Sequence, residues 1–546
     1  MKKNDTERTL EGMIHIPTLK LRLALEGILV GLFAGGCIAL LRSCLEYVSE
    51  RRSLMVAFLQ NVSMTYAFFW VLALVMTSLV ISGLVKWVPI AGGSGIPQVR
   101  GIVIGVYSSL HWFRVIVVKL ITTALGIGAG LSMGREGPSV QIGGMAGQGI
   151  GKLFRNSNVE TRALISSGAG AGLAAAFNAP MAGCLFTMEV IHKNLSALVM
   201  LPTLMASLTA AVVAHFVFGT ETVFAIPRMP ILDAAYLPHL ALLGLFTGTI
   251  GVLFNKASLN MGRFYGLSFF KAPWIKLLFP LLLTIPLTFF FPYVLGAGDG
   301  VIEDMVELKG TVPFIILLLV GKFAFTMFST GSGAPGGSLQ PMLVLGAICG
   351  GLYGNLAAGL GLLPPEYRLH MVVFAMAGFF TGSVRAPVTG ILLLLELTGR
   401  FYHMVPLGIV TLFAYAAGEL LRDRPIFDAI LEDDLKVRFP KTAKKDQLQR
   451  NPYVYEAAVE SGSLAEGKSL KELKFPGKAL VVSVRRGDST LIPDASLVLM
   501  PGDYLYILPN EARISDLTGL LKTQEKGSLS NFGVLKCLCT PGEDMH

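Results

Sequence analysis

Long apolar stretches interrupted by glycine-rich segments constrain the fold of this chain more than any other feature. The interrupting segments are residues 93–97 (GSGIP), 134–138 (GREGP) and 336–341 (GGSLQP). Unwound backbone at membrane depth is tolerated only where protein buries it or where it lines a polar cavity. Each segment leads into an apolar run that can form a helix, and the amide groups of a helix N-terminus attract anions. The pattern therefore predicts a buried anion site built from several helix N-termini.

The composition indicates a polytopic membrane protein. Of the 546 residues, 53% are hydrophobic and only 15% are charged, whereas soluble proteins carry about 25% charged residues. Apolar spans of about 20 residues, the length that crosses a bilayer, recur up to about residue 430. Examples are residues 24–41, 67–85, 115–131 and 311–328. The first apolar run is too long for a signal peptide, so we expect a retained first helix.

The net charge of +9 does not indicate a nucleic-acid partner. The basic residues cluster at the ends of the apolar spans and in the two tails, for example Lys20, Arg22, Arg422 and Arg424. The positive-inside rule then places both termini in the cytoplasm, with an even number of crossings. The six cysteines, including Cys537 and Cys539 in the tail, lack the spacing of metal ligands.

Shifts in composition divide the chain into five parts. These are an N-terminal tail at 1–20, a membrane domain at 21–434, a charged linker at 435–451, a small module at 452–522 and a disordered tail at 523–546. Alternating apolar residues and turn signals predict strands at 480–484 and 504–508 of the module, and helical spacing predicts a helix at 511–521. The module is therefore expected to be a small soluble α/β domain.

The membrane domain contains an internal repeat, with halves at about 21–215 and 235–430. The motifs NAPMAG and RAPVTG lead to Glu189 and Glu396, and each glutamate follows the proline of its motif by nine positions. Upstream, residues 137–141 are similar to residues 336–340. Paired motifs in the same order predict two homologous halves that contribute interrupted helices to one central site.

The order of these motifs resembles that of the CLC family of chloride channels and proton/chloride exchangers. The resemblance covers about residues 21–430 and includes the final Pro425-Ile426-Phe427. It implies an all-α polytopic membrane protein with the inverted-repeat CLC fold and interrupted helices, followed by a small cytoplasmic α/β module. It also implies a homodimer in the bacterial cytoplasmic membrane, surrounded by lipid, that transports chloride and has no cofactor. An enzyme is not expected, because the histidines lie mostly at span edges or in tails.

The resemblance implies roles for particular residues. Ser94 matches the serine that coordinates the central anion. The backbone N–H groups of Ser338 and Leu339 match the opposing donors, although the family usually has isoleucine and phenylalanine there. Glu136 matches the external gating glutamate, whose carboxylate can occupy the anion position and swing away when it is protonated. The other predicted anion-binding residues are Gly95, Ile96, Arg135, Gly137 and Phe427.

Two of the cations in the apolar part of the chain are candidates for a functional role. Arg135 lies in the GREGP segment and Lys119 lies within the span 115–131. Intramembrane cations are rare and commonly functional. We expect both to set a field that draws chloride inward, and for Lys119 an ordinary ion pair is the alternative.

Two departures from the family pattern bear on proton coupling. Exchangers usually carry a second glutamate after the one at position 189, but this chain has Val190, as CLC channels commonly do. The final motif usually ends in tyrosine, and Phe427 lacks the hydroxyl donor. Some family members exchange protons without the inner acid. We therefore favour proton/chloride exchange, with loose coupling as one form of it, and keep a passive channel as the alternative. Fluoride/proton exchange is less favoured because Ser94 is present.

The C-terminal module resembles the RCK-C (TrkA-C) domain of potassium transport regulators. The resemblance rests on residues 462–470, 485–488 and 499–503. Such modules pair across a dimer and often bind small ligands, some of them cyclic di-AMP. The resemblance implies regulation by a small-molecule ligand at residues 452–522. A purely structural role in dimerisation is the alternative.

Overall fold

The structure is a computed structural model, and it falls into two compact units, Met1–Asp434 and Leu435–His546. It describes residues 2–59, 64–107, 111–193, 195–219, 227, 229–438, 455–459, 463–473, 475, 479–486, 489–508 and 521. The predicted disordered tail with Cys537 and Cys539, most of the predicted linker and nearly all of the predicted helix at 511–521 lie outside the described residues.

The first unit is helical. Its helices are α1 (Lys2–Leu59), α2 (Met64–Trp87), α3 (Ile96–Val103), α4 (Trp112–Gly128), α5 (Glu136–Leu153), α6 (Asn158–Phe177), α7 (Pro180–Phe186), α8 (Ala197–Phe218), α9 (Leu237–Phe264), α10 (Pro273–Phe290), α11 (Asp299–Val306), α12 (Val312–Gly331), α13 (Leu339–Gly359), α14 (Arg368–Val384), α15 (Pro387–Thr398), α16 (Met404–Leu420) and α17 (Ile426–Arg438). A π-helical turn, Thr187–His192, continues α7.

Among the described residues, eight helices are long and apolar enough to cross a membrane. Of the four spans given as examples above, 24–41 and 67–85 fall within α1 and α2, whereas 115–131 extends three residues beyond α4 and 311–328 begins one residue before α12. Helix α1 begins at Lys2, so residues 2–20, which we expected as a polar tail, continue the first helix. At the other end, α17 extends through Arg438 into the segment expected as a linker.

Glycines allow helices α5 and α6 to pack with their backbones in contact. Gly143 on α5 faces Gly168 and Gly172 on α6, and a Cβ added at Gly143 would lie 2.9 Å from the carbonyl carbon of Gly168. Small residues commonly bring membrane helices this close, since lipid supplies little hydrophobic force between them. The packing fixes α5, whose first turn carries the GREGP segment.

Two buried lysines reveal how the halves of the first unit correspond. Lys119 on α4 and Lys322 on α12 are fully buried, and each Nζ donates hydrogen bonds to main-chain carbonyls 26 and 28 positions earlier. The acceptors are Ala91 and Gly93 in the first half, and Val294 and Gly296 in the second. The halves therefore match at a shift of 203 positions here. The partners of the Lys119 ammonium in these hydrogen bonds are main-chain carbonyls, whereas the ion pair considered as the alternative would require a carboxylate.

This shift corrects one detail of the sequence comparison. At 203 positions, GREGP at 134–138 matches GSLQP at 337–341, rather than 137–141 matching 336–340. The N-cap residues Arg135 and Ser338 agree with this alignment, because both have right-handed backbone angles and both precede the first residue of a helix. The sequence comparison had aligned two similar strings whose helices start at different points.

The second unit contains a four-stranded antiparallel sheet in the order β1-β4-β2-β3. Its strands are β1 (Tyr455–Ala458), β2 (Leu480–Arg486), β3 (Ser489–Leu491) and β4 (Tyr504–Leu508). Strands β2 and β4 cover the segments predicted as strands. Next to β4, the buried Asp503 accepts hydrogen bonds from the Arg486 side chain, at 2.8 Å, and from the Met500 amide, at 2.9 Å. Burial alone would raise the pKa of Asp503, but these donors outweigh it and lower the pKa.

Candidate anion pathway

The three glycine-rich segments meet in the structure and are joined by backbone hydrogen bonds. Gly134 and Gly337 exchange a pair of N–H to carbonyl bonds of 2.8 and 2.7 Å. Gly93 donates to the carbonyl of Gly333 at 3.2 Å, and the Gly336 amide donates to the carbonyl of Gly93 at 3.3 Å. Because these bonds satisfy backbone groups that have left their helices, the unwound segments can remain deep within the protein.

Four helices begin within the predicted motifs. Helix α3 begins at Ile96, α5 at Glu136, α13 at Leu339 and α17 at Ile426, each directly after one of the predicted motifs or within it. The side chains of Ile96, Glu136 and Leu339 are fully buried, and Phe427 in the first turn of α17 is 1% exposed. The predicted site residues therefore belong to helix N-termini inside the protein.

The carboxylate of Glu136 lies at the N-terminus of α13. Its Oε1 accepts a hydrogen bond from the backbone amide of Gln340, whereas its Oε2 is buried and meets no donor within the described residues. The carboxylate also packs against Gly134, where an added Cβ would lie 2.5 Å from the Glu136 Cδ. A negatively charged group therefore occupies a position that the amides of a helix start favour.

The hydroxyl of Ser94 lies beside the first turn of α5. A Cβ added at Gly137 would lie 2.7 Å from the Ser94 Oγ and 3.0 Å from the Cα of Gly337. The Ser94 Oγ is buried, and the described part of the chain supplies it with no hydrogen-bond partner. A buried donor without a partner is costly unless a ligand or water satisfies it. The Ser94 hydroxyl, which packs against Gly137, is thus a candidate hydrogen-bond donor to an anion.

Gln98, which the sequence analysis did not single out, and Lys119, which it did, hold the Ser94 loop. The backbone amide of Gly95 donates to the Gln98 Oε1 at 2.9 Å, and the Gln98 Nε2 donates to the carbonyl of Gly92 at 3.2 Å. The Lys119 Nζ binds the carbonyl of Gly93 at 2.6 Å. A glutamine three residues after a helix N-cap is a capping pattern, so the role of Gln98 was readable in the sequence.

A cavity of 770 Å³, here called the Arg135 cavity, lies beside the two residues that flank the Glu136 carboxylate, Arg135 and Gln340. Its lining includes Arg135, Gln340, Asp299 and Glu46. The Gln340 Nε2 donates to the Asp299 carboxylate, and the Gln340 backbone amide holds Glu136. Asp299 belongs to a fourth glycine-rich segment, 296–300 (GAGDG), which the shift of 203 positions pairs with 93–97. The sequence analysis missed this segment because its residues differ from GSGIP.

A second cavity, of 680 Å³, is here called the Phe427 cavity. Phe427, Val190, Glu189 and Arg385 are among its lining residues. Phe427 and Val190 are both buried to more than nine-tenths. The two cavities share no lining residue. The position where exchangers usually carry an acid therefore presents an apolar side chain to this cavity.

The two repeat glutamates cap each other's helices. Glu189 accepts hydrogen bonds from the backbone amides of Val388, at 3.1 Å, and Thr389, at 2.7 Å, in the first turn of α15. In the reciprocal contact, Glu396 accepts from the amides at the start of α7, which are those of Met181 at 2.9 Å and Ala182 at 2.8 Å. The common spacing of nine positions thus has a structural reason, because each half supplies the carboxylate that closes a helix of the other half.

Comparison with known proteins identifies the first unit. The family model described as "Voltage gated chloride channel" matches residues 77–419, which is more than half of the chain. The chain belongs to this family, the CLC family. The inverted-repeat fold with interrupted helices that the sequence predicted is confirmed, and the protein is a multi-pass membrane protein of a family of transporters and channels.

Curated relatives agree with the family match. The H(+)/Cl(-) exchange transporter ClcA of Vibrio campbellii is 35% identical over 367 residues, which cover 64% of this chain and 76% of the relative. The protein of the same name from Yersinia pseudotuberculosis is 32% identical over 430 residues, which cover 76% of this chain and 87% of the relative.

Solved structures of CLC proteins are similar to this one. A slow cyanobacterial Cl-/H+ antiporter matches with a TM-score of 0.70 and 28% identity, covering 76% of this chain and 98% of that one. A CLC-type fluoride/proton antiporter matches with a TM-score of 0.61 and 22% identity, covering 73% of this chain and 96% of that one. The second likeness concerns the fold alone.

The second unit also matches a known family. The TrkA-C domain model covers residues 454–522. The resemblance of the module to an RCK-C (TrkA-C) domain is therefore confirmed. This CLC protein carries a TrkA-C domain after its membrane unit.

Proposed function

We propose that this CLC protein exchanges chloride for protons across the bacterial cytoplasmic membrane. The curated relatives at 32 to 35% identity are named as H(+)/Cl(-) exchange transporters, and one solved structure of 28% identity is a Cl-/H+ antiporter. The observation that carries the proposal is the Glu136 carboxylate at the N-terminus of α13, where it accepts the Gln340 amide. One ionisable side chain thus stands where a transported anion would bind.

Glu136 is proposed to act as the gate and as the proton acceptor. While it is ionised, its charge is attracted to the N-terminus of α13 and it excludes chloride from that position. A proton cancels the charge, so the neutral acid loses this attraction and can leave towards the Arg135 cavity. Chloride then takes the vacated position, and the carboxylate returns once the proton has been released. The guanidinium of Arg135, at the N-cap of α5, favours the approach of the anion.

The central anion is proposed to bind between Ser94 and the start of α13. The Ser94 hydroxyl donates from one side, and the backbone amides of Ser338 and Leu339 donate from the other. A neutral hydroxyl and amides hold a desolvated anion without the deep trapping that a fixed cation would cause. Gly95 and Ile96 at the start of α3, together with Gly137 beside Ser94, are proposed to bring further backbone close to the anion. Phe427 closes the pathway on the side of its own cavity.

A passive chloride channel is the second candidate, and Val190 is the observation that favours it. No proton can be held at position 190, and Glu189 is engaged as the cap of α15. We favour exchange because water in the Phe427 cavity can carry protons past Glu189. Fluoride/proton exchange is less favoured than either, because the chain has a serine, Ser94, at the position that matches the anion-coordinating serine of the chloride-transporting family members.

Reversal potentials separate the two candidates. In planar bilayers with a fixed chloride gradient, an exchanger reverses at a potential that shifts with the pH difference across the membrane. A channel reverses at the chloride Nernst potential at every pH. We expect the shift, and reversal at the chloride potential under all pH gradients would leave the channel as the function.

The TrkA-C domain is proposed to regulate transport by binding a small ligand in the cytoplasm, where both termini would lie. The protein would be a homodimer with one pathway per subunit, and its TrkA-C domains would pair. A nucleotide such as cyclic di-AMP is the ligand to test first. We expect cyclic di-AMP to raise the melting temperature of the purified full-length protein. No shift at saturating nucleotide would remove this ligand and favour a purely structural role in dimerisation.

A further inference from the structure

We propose that Arg385 forms an additional binding site for a small inorganic anion in the Phe427 cavity. The proposal rests on the proposed function in one respect, because it takes chloride as the anion that passes through this cavity. Arg385 was noticed in the sequence only as part of a repeated motif. Its place in the structure indicates a second role.

The Arg385 guanidinium is buried and has unused donors. The side chain is 4% exposed and belongs to the lining of the Phe427 cavity. Its Nη1 donates to the carbonyl of Gly382, whereas no described residue accepts a hydrogen bond from its Nε or Nη2. The Nε forms an ion pair with a carboxylate oxygen of Glu419, which lies 3.6 Å away on a side chain that is 59% exposed. A buried guanidinium with free N–H groups attracts an anion strongly.

The surroundings of the guanidinium are built to accept it. A Cβ added at Gly418 on α16 would overlap the Arg385 guanidinium, so the absence of a side chain at position 418 provides its space. The other cation that lines this cavity, Lys193, is already paired with Asp428, and Asp428 also pairs with Arg100. Glu189 is occupied by the amides of α15. Among the charged residues that line the cavity, Arg385 therefore offers the free donors.

The fold itself does not require a cation at this position. Asn178 is the repeat counterpart of Arg385, and it also follows the last turn of a helix and precedes an Ala-Pro pair. Both residues adopt left-handed backbone angles, with φ of 57° at Asn178 and 63° at Arg385. Asparagine tolerates this conformation better than most residues. Since asparagine satisfies the same geometry in the first half, the charge in the second half points to a ligand.

An anion bound at Arg385 would lie at the entrance to the proposed pathway, on the side that Phe427 closes. It would raise the local chloride concentration on that side of the membrane without touching Ser94 or Glu136. Glu419 competes for the same guanidinium, so its charge should weaken the site. Removal of Arg385 and removal of the Glu419 charge should therefore have opposite effects.

Chloride flux through the full-length protein in planar bilayers tests this assignment. Arg385→Asn installs the residue of the first half. For this variant, the half-saturating chloride concentration should rise about tenfold on one side of the membrane only. A rise of about tenfold corresponds to the lower end of the free-energy contribution of one hydrogen bond to a charged group. Glu419→Gln should lower it on that same side. Arg424→Asn is the matched control, because Arg424 is half-exposed, pairs with Glu432 and is absent from the cavity lining. Unchanged half-saturation in both cavity variants would overturn the proposal.

Bromide provides a test that does not depend on the folding of a variant. In crystals of the wild-type protein grown in bromide, anomalous scattering should show one peak near Ser94 and another within hydrogen-bond distance of the Arg385 Nη2. A peak near Ser94 alone would overturn the Arg385 site and leave the proposed function intact. A peak at Arg385 alone would support this site and contradict the proposed central anion position. No peak at either place would contradict both.

Discussion

At the scale of single residues, the molecule depends on small side chains beside a buried charge. The Glu136 carboxylate can reach the N-terminus of α13 because Gly134 has no Cβ, and Ser94 can reach the same region because Gly137 has none. Two glycines of one motif thus make room for the proposed gate, Glu136, and for the proposed anion donor, Ser94. This explains why GREGP requires glycine on both sides of its charged pair.

Replacing Gly134 should displace the gate without removing its charge. In Gly134→Ala, the new methyl group would lie 2.5 Å from the Glu136 Cδ, so the carboxylate must leave its position. The backbone there tolerates alanine, because Gly134 is absent from the described residues with positive φ. If the displacement costs the closed state about 1.4 kcal/mol, the open fraction rises about tenfold.

The measurement for Gly134→Ala is chloride flux in liposomes as a function of pH. We expect higher flux at neutral pH and a flattened pH profile. Gly36→Ala is the matched control, since a Cβ at this helical glycine meets no described atom within 4 Å. A wild-type pH profile in Gly134→Ala would show that the contact with Gly134 does not hold the gate.

At the scale of elements, the halves of the membrane unit are joined by exchanged helix caps. Glu189 closes α15 and Glu396 closes α7, so each cap ties a short helix of one half to the other half. Helices of 7 and 12 residues gain little stability by themselves. We infer that the caps stabilise the interface between the halves.

Removing one cap charge should destabilise the membrane unit. Glu396→Gln keeps an amide oxygen but loses the charge and one of two hydrogen bonds, which should cost about 1–2 kcal/mol. Glu189→Gln should cost at least as much, because the Glu189 carboxylate also accepts a third hydrogen bond, from the Thr389 hydroxyl. Thermal unfolding of the full-length protein in detergent measures the loss. Glu366→Gln is the control, because Glu366 lies in a 3-10 turn (Pro365–Tyr367) outside both caps. Equal melting temperatures in all variants would contradict the capping role.

Many features of the helices and loops could be predicted from the sequence, whereas the roles of particular residues could not. The interrupted helices, the repeat and the convergence of three loops follow from glycine, proline and apolar spacing. Lys322 lies inside an apolar span, as Lys119 does, but was not singled out, and its role is visible only in its contacts with carbonyls 26 and 28 residues away. In the sequence, Glu189 marked only the repeat and the position before Val190, and its role as a cap requires a contact 199 positions away. Such long-range partners leave no local pattern in the chain.

At the scale of the whole molecule, the proposed anion pathway and the proposed proton acceptor share one buried residue, Glu136. The Arg135 cavity and the Phe427 cavity share no lining residue, and Glu136 is fully buried. If Glu136 holds both the gate and the proton, each chloride that passes is linked to its protonation. The absence of an acid at Val190 would then slow or loosen proton delivery rather than abolish it.

The most direct test of this account records chloride and proton movement together in liposomes that contain the wild-type protein, with a chloride gradient and no initial pH gradient. The account predicts that chloride flow drives protons uphill in the opposite direction, and that Glu136→Gln passes chloride without moving protons. Chloride flow through the wild type with no proton movement would contradict exchange. Uphill proton movement that persists in Glu136→Gln would contradict the role given to Glu136.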